Sequence, residues 1–193
     1  MNKNERISIA VSPLFFAVFG WLLLYERKGV AAGCLAASLL HECGHLLVMF
    51  WRNAPPRSVT VGVFGMRIER DVALHLSFWD DLLIAAGGPL CNAICCIGFW
   101  LCGKQVAAAI HLLIALLNLL PVEALDGGEI LLCILYRFVS RERARRWMLI
   151  CSLLTVFPLG IIGFFVLIRS GYNASLLLVD LYLILLLIFK RKD

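Results

Sequence analysis

Apolar residues run through this chain in long blocks separated by short polar intervals, not in the one-sided stripes of a water-soluble fold. The blocks fall near 7–25, 30–51, 79–102, 106–136, 147–168 and 173–189. Each is of about 18 residues or more, the length a helix needs to cross some 30 Å of hydrocarbon. The pattern predicts an all-α membrane protein with six transmembrane helices. One segment has another period: 57–70 alternates Val59, Val61 and Val63 and is rich in β-branched residues. It predicts a short β-strand or hairpin at the cytoplasmic membrane face, turning or bulging at Gly62 and Gly65.

Two blocks carry internal breaks. The third opens on Asp80 and Asp81, acids suited to a helix N-terminus, and continues through Gly87-Gly88-Pro89 to Asn92, where a kink is expected. The fourth, 106–136, would be about 46 Å long as one helix, more than the hydrocarbon thickness. Pro121 and Gly127-Gly128 are expected to break it near its middle.

Composition agrees with the pattern. Of 193 residues, 62% are hydrophobic and 16% charged, too few polar groups to cover a soluble globule. No interval is long enough to fold separately, so residues 1–193 read as a single integral membrane domain. The first block follows Lys3 and Arg6 as a signal peptide would, but ends in Tyr25-Glu26-Arg27-Lys28 without a small-residue cleavage site. It reads as a retained anchor helix. The eight cysteines (Cys34, Cys43, Cys91, Cys95, Cys96, Cys102, Cys133, Cys151) all lie in apolar blocks and read as small hydrophobes.

Charge sets the orientation. With six crossings, all 18 Lys and Arg except Arg27, Lys28, Lys104 and Arg169 fall on one side. That side is therefore cytoplasmic, together with both termini of a multi-pass cell-membrane protein. The net charge of +5 then reflects topology and contact with anionic lipid, densest at Arg137, Arg141, Arg143, Arg145 and Arg146. No nucleic-acid partner is expected.

The candidate chemistry lies in the second block, which contains His41-Glu42-Cys43-Gly44-His45. At about 100° per residue, His45 sits only some 40° round the helix from His41, so both imidazoles can reach one ion. Glu42 stands beside that ion as a candidate general base, while Cys43 projects from the opposite side. Three ionisable groups in one turn of an apolar helix are costly unless they have a function. Zinc needs a third protein ligand and an open position. The best candidate is Asp126, with Glu123 as its rival, in the stretch from Asn118 through Pro121 to Gly127-Gly128. Depth agrees: the motif centre lies about 12 Å of helix rise from Trp51, and Asp126 about 16 Å from Arg137. His75 and His111 are expected in a loop and near a helix start.

Three blocks in order, His-Glu-x-x-His at 41–45, Gly-Pro-x-x-Asn at 88–92, and Asn-x-x-Pro followed by Asp-Gly at 118–127, resemble the site-2 protease family of intramembrane metalloproteases, its sporulation members nearest. The resemblance implies one zinc per chain on His41, His45 and Asp126, Glu42 as general base, and transmembrane or membrane-associated substrates. It would make the chain a zinc metalloendopeptidase, of bacterial origin, with a regulatory membrane protein as a further partner and a regulatory pro-protein as one kind of substrate. The chain departs from many members in having no inserted PDZ domain, and from the sporulation members in having no nucleotide-sensing domain after Lys192-Asp193.

A helical substrate must be locally unwound before its carbonyls can be attacked. Segment 57–70 could hold the unwound strand by edge pairing. Asn118 and the backbone freed by Pro121 could bind the substrate or the oxyanion, although Asn118 and Asn92 could equally serve as interhelical hydrogen-bond partners. Two other readings use the same residues: a non-hydrolytic membrane metal carrier or sensor, and a regulatory scaffold with a protease fold. Neither gives Glu42 a necessary role.

Overall fold

The computed structural model describes residues 8–12, 20, 29–62, 65–70 and 76–190. Its elements follow the order β1 (Ser8–Val11), α1 (Val30–Trp51), β2 (Pro56–Gly62), β3 (Gly65–Arg70), α2 (Phe78–Leu101), α3 (Gln105–Asn118), α4 (Asp126–Phe138), α5 (Arg141–Ser170) and α6 (Ser175–Lys190). The chain divides into two compact units, Met1–Leu116 and Leu117–Asp193.

In the first unit α1 packs along α2. Their buried residues are small or polar, Ala37, His41, Gly44 and His45 on α1, and Gly87, Gly88 and Asn92 on α2. The large apolar side chains Leu47, Phe50, Leu90, Ile94 and Trp100 point outward. That inversion suits a lipid surround, in which small residues let helices approach and apolar bulk faces the solvent of acyl chains. Gly44 and Gly87 make the approach possible, because a Cβ on either would run into the backbone carbonyl oxygen of the other. α2 begins with a capping box: Asp80 N–H donates to Ser77 Oγ at 3.2 Å, and Ser77 N–H donates to Asp80 Oδ2 at 3.0 Å. Arg52, just past α1, pairs with the same Asp80 carboxylate. The helix continues through Pro89 without ending.

The alternating segment forms the expected hairpin, β2 antiparallel to β3, with Gly62 paired to Gly65 and an irregularity at Pro56/Ser58. A third strand was not expected. Ser8–Val11, at the start of the block read as an anchor helix, pairs parallel with β2 in the register Ser8 to Ser58 and Val11 to Val61. Ile9 and Val11 carry the β-branched side chains that favour a pleated conformation, and a partner strand supplies what an apolar-block reading cannot see. Apart from Ser12 and Gly20, the remainder of that block, and His75, lie outside the described residues. Among the described residues β2 is paired on both sides, and β1 and β3 on one side each.

In the second unit α5 packs on α4 and α6. The expected break in the fourth block is present: α3 ends at Asn118, α4 starts at Asp126, and residues 119–125 are non-helical. α5 is longer than its apolar block and starts among the basic residues at Arg141. Three helices among the described residues, Val30–Trp51, Phe78–Leu101 and Arg141–Ser170, are long and apolar enough to cross a membrane. Gln105–Asn118 and Ser175–Ile188 are apolar but shorter.

Candidate metal centre

Helical spacing puts His41 and His45 one turn apart on the buried side of α1, with their Nε2 atoms 3.2 Å apart. Two nitrogens bound to one tetrahedral zinc at about 2.0–2.1 Å must be separated by about 3.3 Å, so the pair has the spacing of two ligands on one ion. The outer face of each ring is held. His45 Nδ1 lies 2.7 Å from Ile84 O and 3.3 Å from Gly88 N; with its proton on Nδ1, donated to the nearer carbonyl, the Nε2 lone pair is directed inward. His41 Nδ1 lies 3.2 Å from the amide nitrogen of Asn92. Such partners fix the ring orientation of metal-binding histidines.

Gly88 provides the space. A Cβ added there would meet His45 Nε2, His41 Nε2 and His41 Cδ2, so the glycine of the Gly-Pro-x-x-Asn block leaves the gap in front of both nitrogens. Donor chemistry, nitrogen spacing and this clearance together fit a small divalent cation. Glu42 follows His41 and is half-buried, whereas Cys43 is exposed.

His111 corrects an expectation. It is in the middle of α3, not near a helix start, and it is buried. Its Nδ1 lies 3.0 Å from Asn92 Oδ1, and its ring stacks on Phe99 with centroids 5.3 Å apart. Asn92, completely buried, therefore links α1 to α3. The sequence marks Asn92 through its motif, but a lone histidine in an apolar block carries no signal that its partner is that asparagine.

The second unit holds Asn118, Pro121, Glu123 and Asp126. Asp126 is the first residue of α4, preceded by a loop tied to itself: Val122 N–H donates to Leu120 O at 2.7 Å, and Leu125 N–H to Val122 O at 2.9 Å. Gly127 and Gly128 allow the helix to start against that loop, since Cβ atoms there would collide with the carbonyls of Leu119 and Val122. Ser152 on α5 anchors the loop from outside. Its hydroxyl accepts Glu123 N–H at 3.0 Å and donates to Met148 O at 2.9 Å. Val122 is buried with Val156 and Leu183. Asn118 ends α3, and Pro121 lies within the break.

The His-Glu-x-x-His helix is packed on a second helix through glycines, and a broken segment follows in the chain. The structure of the site-2 protease from Methanocaldococcus jannaschii superposes on it with a TM-score of 0.62 at 20% identity, covering 95% of this chain and 90% of that one, so the two share a fold. In sequence, the chain is 25% identical over 90% of its length to a Synechocystis protein with the provisional name zinc metalloprotease sll0528. It is 23% identical over 83% of its length to stage IV sporulation protein FB of Bacillus subtilis. It is 30% identical over 63% of its length to a Mycobacterium tuberculosis protein provisionally named zinc metalloprotease Rip3. The chain spans 60%, 59% and 34% of these three relatives. No family model matches it. The likeness to the site-2 protease family read from the three motifs is borne out in both sequence and fold.

Proposed function

We propose that this chain is an intramembrane zinc metalloprotease that hydrolyses a peptide bond in or near a transmembrane segment of a membrane-associated substrate. The imidazole pair carries the reading: two Nε2 atoms 3.2 Å apart, backed by Ile84 O and Asn92, with Gly88 clearing the space before them. Asp126 completes the ligand set, since two histidines and a carboxylate are a donor group able to hold one zinc ion per chain. Zinc bound there would supply Lewis acidity to a water-poor site. Glu42 takes the proton of the attacking water and passes it to the leaving amine. Asn118 ends the helix before the break and Pro121 lies within it, on non-helical backbone that can receive an unwound substrate. β3 offers that strand an edge, because β2 already has a neighbour on each side. A regulatory membrane protein is the further partner proposed.

The topology we propose has six crossings, the pair α3 and α4 counting as one, and cytoplasmic termini. It rests on the Lys and Arg asymmetry and on β1. Because β1 and β2 share a sheet they share a side of the membrane, and α1 crosses once between them. Residues 1–193 form one membrane domain in this reading.

The deciding experiment is Glu42→Gln, which keeps shape and removes the carboxylate. Purified variant is expected to hold about one zinc per chain and to cleave a single-span substrate at least about 10²-fold more slowly, the loss expected for a general base. Undiminished cleavage by the zinc-loaded variant would overturn the proposal. A metal carrier would instead tolerate the change with transport intact.

A further inference from the structure

The described residues hold an unbroken hydrogen-bonded line of four side chains inside the first unit: His111 Nδ1 to Asn92 Oδ1 at 3.0 Å, Asn92 Nδ2 to His41 Nδ1 at 3.2 Å, His41 Nε2 to His45 Nε2 at 3.2 Å, and His45 Nδ1 to Ile84 O at 2.7 Å. All four side chains are buried. We infer that His111 is a positioning residue for the metal centre, acting through Asn92 to set which nitrogen of His41 presents a lone pair to the ion. The inference rests on the zinc reading proposed above.

The argument is one of donors and acceptors. A neutral imidazole has one N–H and one lone pair, and a carboxamide has a donor end and an acceptor end that a half-turn exchanges. As the atoms are placed, every pair is satisfied in a single direction. His111 Nδ1–H donates to Asn92 Oδ1, Asn92 N–H donates to His41 Nδ1, and His41 keeps its proton on Nε2, which donates to His45 Nε2. In that direction His41 has no lone pair for a cation at Nε2. The opposite direction satisfies both Asn92 contacts: after the half-turn, His41 Nδ1–H donates to Asn92 Oδ1, and Asn92 N–H donates to His111 Nδ1, while the Nε2 lone pairs of His41 and His45 face each other, an arrangement that a cation between them stabilises. Only this second direction frees His41 Nε2. Each ring keeps one proton throughout, moved from Nε2 to Nδ1 on His41 and from Nδ1 to Nε2 on His111.

His111 is what makes the reversal possible. An apolar residue there would leave one end of a completely buried amide without a partner, and unpaired buried polar groups are expensive. A residue able only to donate would hold the amide in the direction that blocks His41. Neutral histidine can serve both directions, and its ring plane is fixed by the stack on Phe99, at an interplanar angle of 24°. Adding the ion at one end of the line thus moves a proton at the other end, on a residue that touches neither the ion nor its ligands.

The test uses the detergent-solubilised full chain with ¹⁵N-labelled histidine rings, studied with chelator and with one equivalent of zinc. Zinc is expected to shift the His111 proton from Nδ1 to Nε2, read from the ring nitrogen chemical shifts. His111→Leu is expected to weaken zinc binding by about 10-fold, the lower end of the effect of groups that orient metal ligands. His111→Gln, which keeps a donor and an acceptor, is expected to restore it. In a double-mutant cycle, Asn92→Leu with His111→Leu should bind zinc no worse than Asn92→Leu alone, because both act through one contact. A His111 tautomer that ignores zinc, an affinity unchanged in His111→Leu, or losses that add in the double variant would each overturn the inference. If His111→Leu fails to fold, the tautomer shift in the unsubstituted chain still decides. Wild-type protein that binds zinc but cleaves nothing would defeat the protease reading and leave this one standing, whereas protein that takes up no zinc would defeat both.

Discussion

The turn that carries the two histidines and the turn that carries Asp126 are held in place by opposite means. His41 and His45 sit in the middle of an uninterrupted helix whose own backbone bonds are closed, so their orientation comes from a neighbouring helix: Ile84 O, Asn92 and the clearance at Gly88. Asp126 sits at the start of a helix, after a break, and its placement comes from the local backbone, through the loop bonds of 120–125 and the two glycines that follow it. Ser152 adds one bond from α5. Aromatic ligands with two ring nitrogens need their tautomer fixed from outside. A carboxylate has no tautomer to fix and needs its backbone pinned instead.

Substitutions that strike one arrangement and spare the other sharpen this contrast. The largest effect is expected at Asp126→Ala, which leaves two histidines and should reduce zinc from about one per chain to a trace after dialysis, while Glu123→Ala keeps it. Metal analysis of the two purified variants decides, and the reverse pattern would transfer the ligand role to Glu123. Next comes Gly88→Ala. Its methyl would press on both Nε2 atoms, and zinc should bind about 10- to 100-fold more weakly, as when ligand orientation is lost, with little change in apo-protein melting. Unchanged affinity in a competition titration would remove Gly88 from the argument.

Two smaller effects concern support outside the ligands. Ser152→Ala leaves Glu123 N–H without its hydroxyl partner and should cost about 1–2 kcal/mol, read as a lower melting temperature in detergent. If the loop is what holds Asp126, zinc affinity should fall as well. A loss of stability alone would mean that the local bonds of 120–125 are sufficient. Ser77→Ala, which removes the cap of α2, should cost about 1 kcal/mol and leave zinc binding unaltered, because the cap lies at the far end of the helix from Asn92. A loss of zinc in that variant would show that the histidine turn depends on the whole of α2 and not on three local contacts.

Hydrophobic blocks and helical spacing were enough to place the second, third, fifth and sixth apolar helices, the break in the fourth, the hairpin, and the pairing of His41 with His45. All of these follow from interactions within about a turn of helix or between neighbouring strands, which a linear pattern encodes. β1 escaped because a short β-branched run inside an apolar block looks like helix until a strand some fifty residues away offers its edge. His111 was misplaced for a similar reason: its role depends on Asn92, 19 residues earlier, on another helix. Gly88 was read only as part of a kink and a motif. That it clears the space before two imidazoles could emerge only once α1 and α2 were packed, since an absent side chain has meaning only in relation to what would have occupied its volume.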